Sequence, residues 1–318
     1  RRRDQNHLIR IEEKILKNLV NSFDRIKVKV LLLKLFLATK QTTVMPQQPK
    51  NHVEQVCLAR RLESSVTVNL LGATVTSLTM NGVERLFLSK STVLNNKTPI
   101  RSGIPVLLSE DPEHAFFRTS QWTLVEQNKY PNGDVNASFV LEDNENTRKQ
   151  WDQKFKATLK ISLKKKEITF DYIIENKDSK PFTCAPMLQN HFLVDDVTNT
   201  SVLGLQDADS SDEINYSLTT SECGNRVSID GPLNSVYANT SAEHVLKNTQ
   251  DGASLFLRKW NLPDTVIWNP WDETSQGSHD VTSDEYREMI SVGCGHVTQS
   301  VTLHPGAIFQ ASQTLTME

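Results

Sequence analysis

The chain has 318 residues, of which 37% are hydrophobic and 23% charged, and its formal net charge is -3. That is the composition of a soluble globular protein, and so small a net charge argues for neither nucleic acid nor a membrane surface as partner. Four scattered cysteines (Cys57, Cys184, Cys223, Cys294) form no CxxC pair and no dense framework, so the reading is a reduced thiol set in a cytoplasmic protein.

Residues 1–44 are of a different kind. They hold 11 Lys/Arg against 4 Asp/Glu, a local charge of +7 that leaves -10 for the rest. The apolar run 26–38 (IKVKVLLLKLFLA) carries three lysines and is too short to span a bilayer. The chain opens RRR without a methionine, and Met45 begins a polar MPQQPKNH stretch. Residues 1–44 are therefore expected to be a basic extension, disordered or not part of the natural product, with one folded domain over 50–318.

From about Cys57 onward the pattern has period two, the signature of half-buried strands. Short strands are expected at 66–70, 121–125, 137–141, 255–257 and 297–303. The clearest is a hairpin: Phe155, Ala157, Leu159, Ile161 and Leu163 alternate with polar residues, and after KKKE so do Ile168, Phe170, Tyr172 and Ile174. Asn81-Gly82, Asn132-Gly133 and Asp251-Gly252 mark turns. No long helical periodicity follows residue 45 and no repeat of 20–50 residues occurs, which points to a large antiparallel sandwich. Trp260, Trp268 and Trp271 are read as core, GCG around Cys294 as a strand break or bulge, and the 272–280 loop as solvated, without metal-ligand spacing. The N-x-S/T sequons at Asn96, Asn136, Asn199, Asn215 and Asn239 are read as chance occurrences.

Several motifs stand together along the chain: LGATVTSL, RSGIP, EHAFFRTSQW, MLQNHF, GLQDAD, WNLPDTVIWNPW and MISVGCGHV. They resemble those of the glucose-6-phosphate 1-epimerases, hexose-6-phosphate mutarotases of the aldose-1-epimerase superfamily, over nearly all of 70–313. The resemblance implies an all-β galactose mutarotase-like β-supersandwich, no cofactor, a hexose 6-phosphate as ligand and a cytoplasmic monomer. It places Arg101 and Arg118 at substrate-binding arginines, Asp209 at a substrate-binding aspartate and His114 at a family histidine. Glu113 stands where the family has a substrate-binding glutamine, and the loop between the two arginines is shorter than usual.

Two departures bear on the chemistry. Mutarotation needs a base at the O1 hydroxyl and an acid at the ring oxygen. The resemblance puts the acid at Gln189 and the base at Gly293. Glutamine can orient an oxygen but transfers no proton near neutral pH, and glycine has no side chain. Glu288 and Cys294, odd numbers of residues away, should face the other side. His191, two residues from Gln189, shares its strand face about 6–7 Å along and is a candidate replacement acid, as is His114. Three readings stay open: an active mutarotase using such a histidine with an unrecognised carboxylate, a pseudoenzyme that binds a sugar phosphate, and a scaffold whose pocket has lapsed.

Overall fold

The structure, a computed structural model, describes residues 54–61, 63–205, 208–212, 226–272, 281–282 and 284–318, with 209–212 as backbone alone. The readings of residues 1–44, of Cys223 and of residues 273–280 lie outside the described residues.

Two antiparallel sheets dominate. The larger has nine strands in the order Arg226–Ser228, Ser201–Leu203, Glu243–Lys247, Leu255–Trp260, Ile308–Met317, Glu167–Asn176, Phe155–Leu163, Val135–Glu142 and Thr123–Lys129. The second has six, in the order Asp209–Asp212, Leu233–Ala238, Asp264–Asn269, Met289–Gly295, Met187–Leu193 and Val106–Leu107. A four-stranded sheet over residues 55–84 and the small pair Phe182–Cys184 with Val301–Leu303 complete it. This is the expected all-β sandwich.

The alternating hairpin forms as its pattern requires. Leu163 pairs with Ile168, the Lys164 N–H donates to Glu167 O at 2.9 Å, and every alternate apolar side chain from Phe155 to Ile174 is buried. Each such Phe, Leu or Ile contributes about 1.5–3 kcal/mol relative to exposure. Asn81 and Gly82 both have positive φ, 54° and 79°, as a type I′ hairpin turn demands.

Three expectations are corrected. GCG is no break: Gly293, Cys294 and Gly295 lie inside the regular strand Met289–Gly295. Trp260 is not core but 61% exposed, while Trp268 and Trp271 are half-buried. The strand expected at 297–303 is only Val301–Leu303. The amides of Val297 and Thr298 leave the ladder to donate to the Asp264 carboxylate, at 2.9 and 2.7 Å.

A reciprocal pair of buried amides joins the two main sheets. Asn190 Nδ2 donates to Gln313 Oε1 at 2.9 Å, and Gln313 Nε2 donates to Asn190 Oδ1 at 2.7 Å. Asn190 Nδ2 also reaches Val292 O at 2.8 Å. Both side chains are fully buried. Tyr172 adds a second link, its hydroxyl donating to Leu107 O at 3.1 Å.

Removing one amide of this pair strands the other. Asn190→Leu should cost about 1–3 kcal/mol in urea unfolding. Asn190→Leu with Gln313→Leu should cost less than the two single changes added together; full additivity would show that the amides are not coupled.

Candidate functional site

With Asn190 pointing into the core, its neighbours Gln189 and His191 must point to the opposite face of the six-stranded sheet. Strand register extends that face into two rows. Val236, Val266, Gly293 and Gln189 lie abreast, and beside them Asn234, Trp268, Ser291 and His191. A cleft of about 240 Å³ opens here, lined by both arginines of the sequence reading (Arg101 and Arg118), by Gln189 and His191, and by Trp268 and Asn234. That volume falls below the ~300–1,000 Å³ of drug-sized pockets, so it suits a small ligand.

Glycines fix how the arginines and His191 approach. Gly103, in RSGIP, has φ 74°, and a Cβ there would collide with Val75 O. Only glycine lets this turn lie against the neighbouring backbone. Its carbonyl accepts the His191 backbone N–H at 2.8 Å and faces His191 Nδ1 at 3.2 Å. A carbonyl only accepts, so Nδ1 carries the proton in that bond and Nε2 is the nitrogen that can exchange one. The Trp268 ring stands edge-on to the imidazole, centroids 6.2 Å apart.

Arg118 sits on the four-residue helix Phe116–Thr119. Phe116 and Phe117 are buried against Trp151, Trp122, Phe155 and Tyr172, and Gly72 packs on the Arg118 backbone, where a Cβ would meet Arg118 O at 2.8 Å. Gly72 of the LGAT motif and the two phenylalanines of EHAFFR thus hold this helix in place.

The space above Gly293 is occupied by Met187. A Cβ there would fall on Met187 Cε, and at Gly295 one would lie 2.7 Å from Met187 Cβ. Met187 pairs with Gly295, two residues before Gln189 on the same face. Its thioether fills the volume beside Gln189 that a side chain at 293 would use. Cys294 points the other way, fully buried, its thiol pushed up to about 11 by burial. Glu288 is exposed in the 3-10 turn that precedes the strand.

The remaining residues singled out in the sequence lie elsewhere. Glu113 is exposed and is not among the residues lining the cleft. His114 is not among them either. It is buried edge-on to Trp151, and burial lowers its pKa despite Glu113 and Asp111 nearby, which favours the neutral ring. Asp209 lies in the edge strand Asp209–Asp212, paired with Ala238; its side chain lies outside the described residues. Conversely, Glu110 lines the cleft and was not singled out. It falls in the shortened loop between the arginines, where no motif marks it.

Beyond the strand end, Asp264 ties the chain down. It is fully buried and accepts from Asn239 N, Val297 N, Thr298 N and Thr298 Oγ1 at 2.7–3.1 Å. Burial acts to raise its pKa, but the hydrogen bonds from Thr298, Asn239 and Val297 together hold it below the ordinary carboxylate value. Among the described residues no group of three or more His, Cys, Asp or Glu is placed to hold a metal ion, and no helix is long and apolar enough to cross a membrane.

Comparison with known proteins bears on the family and the fold. The family model for aldose 1-epimerase matches residues 54–316. The chain is 27% identical over 270 residues to a protein described as "Putative glucose-6-phosphate 1-epimerase" from Cenchrus ciliaris, covering 80% of this chain and 82% of that protein. It is also 27% identical over 229 residues to one of the same description from Escherichia coli K12, covering 69% and 76%. A crystal structure described as that of "a putative mutarotase (YeaD) from Salmonella typhimurium" superposes with a TM-score of 0.74 at 21% identity, covering 90% of this chain and 99% of that one.

Two outcomes follow from the packing. Gly293→Ala should cost less than the ~1–3 kcal/mol of rigid overpacking, because the colliding atom is the mobile Met187 methyl, and less again in a Met187→Ala background, as read by the denaturation midpoint. Asp264, its folded pKa depressed, contributes stability that is present above its unfolded pKa of about 3.9 and lost as pH falls through the folded value. Thermal melts across that acid range should fall less steeply for Asp264→Asn than for the parent chain.

Proposed function

The chain belongs to the aldose 1-epimerase family, and from that premise we propose that its domain over 50–318 binds a hexose 6-phosphate in the cleft. Arg101 and Arg118 grip the phosphate, and Gln189 and Asn234 take sugar hydroxyls. The observation that supports this is convergence: Arg101, Arg118, Gln189 and His191, from separate stretches of sequence, line one small cleft. Guanidinium forks match phosphate oxygens in charge and geometry. The description of the Cenchrus relative as a "Putative glucose-6-phosphate 1-epimerase" favours the same ligand class. Asp209 is a further contact in this reading. Glu113 and His114 contribute to the shape of the loop and do not touch the sugar.

Gln189 and Gly293 supply no proton transfer to the anomeric centre. An amide orients an oxygen without exchanging a proton, and at 293 a methyl group from Met187 takes the place of a side chain. Binding therefore does not require proton transfer at the acid and base positions that the family resemblance assigns.

Glucose 6-phosphate should raise the melting temperature with concentration. A ligand at 100 times its Kd adds about 2.7 kcal/mol to a native state it binds exclusively. Arg118→Ala should abolish most of the shift, and unphosphorylated glucose should give far less. A melting temperature unmoved by millimolar glucose 6-phosphate would leave a scaffold with a lapsed pocket as the better reading.

A further inference from the structure

The cleft has one carboxylate and one imidazole among its described lining residues, Glu110 and His191. We infer that this pair performs the acid–base chemistry that Gln189 and Gly293 cannot, so that the reaction has moved within the cleft. The inference rests on the proposed hexose 6-phosphate ligand.

The elements around both groups favour the role. Glu110 follows the short strand Val106–Leu107, which pairs with Met187 and Leu188, next to Gln189. The loop is fastened on either side of it. Ala185 N–H donates to Leu108 O at 2.9 Å, and Ser109 Oγ and Asp111 exchange hydrogen bonds of 2.6 and 3.1 Å. His191 is buried in the cleft floor, oriented by the Gly103 carbonyl and shielded by the Trp268 edge. The same carbonyl fixes Nε2 as its exchanging nitrogen. The other charged groups lining the cleft are Arg101 and Arg118.

The steps balance without a co-reactant. In the form with Glu110 ionised and His191 protonated, the Glu110 carboxylate takes the proton from the sugar O1 hydroxyl while His191 gives its Nε2 proton to the ring oxygen. The C1–ring-oxygen bond breaks and the C1–O1 bond becomes a carbonyl. After rotation about C1–C2, the ring hydroxyl returns its proton to His191 as its oxygen attacks the other face of C1, and Glu110 returns a proton to O1. The product is the other anomer, and both residues end as they began.

Exchange NMR on α- and β-glucose 6-phosphate tests this alongside the thermal shift. The wild-type chain should accelerate exchange in proportion to its concentration. Glu110→Gln and His191→Asn should each reduce the acceleration about 10²-fold, or to the uncatalysed rate, while the thermal shift persists. A wild-type thermal shift with no acceleration, or an acceleration untouched by Glu110→Gln, overturns the inference and leaves the binding reading standing. If no shift occurs either, both fall.

Discussion

The site depends first on two amides that never meet solvent. Asn190 and Gln313 are complementary only to each other once buried, since an unpaired amide between the sheets would forfeit its hydration with nothing in return. That requirement fixes which face of the strand Met187–Leu193 turns inward. A slip of one residue would bring Gln189 or His191 into the core opposite Gln313 and turn Asn190 out into the cleft. The polar floor of the cleft is thus set by a polar contact on the reverse side of the same strand.

Backbone proximity does the rest. Gly103 against Val75 and Gly72 against Arg118 are places where two backbone segments approach too closely for any side chain. Each brings an arginine-bearing segment to the sheet. These contacts are short and inflexible, so they define the rim of the cleft better than the long side chains could themselves.

The architecture was legible in the sequence because period-two burial is local: FKATLKISL and its partner strand announce themselves within ten residues. The convergence of Arg101, Arg118, Gln189 and His191 was reachable only through family resemblance, since no local rule joins residues so far apart in sequence. Where local rules were applied alone they misled. GCG reads as a break because glycine weakens strands, yet here it makes room for Met187. Trp260 reads as core by residue type, yet its strand position turns it outward. Glu110 was invisible because a carboxylate in a polar loop is commonplace, and only the loop's placement beside Gln189 distinguishes it.

The Met187 methyl in the space above Gly293 also bears on how such a cleft can change over time. A longer side chain at position 293 would need that methyl to swing aside, a movement the rotatable bonds of a thioether side chain allow. The two positions therefore share one volume, and the size of the side chain at one limits the rotamers open to the other. Relatives with a large side chain at the equivalent of 293 should differ at the equivalent of 187 as well, a paired variation whose origin is steric.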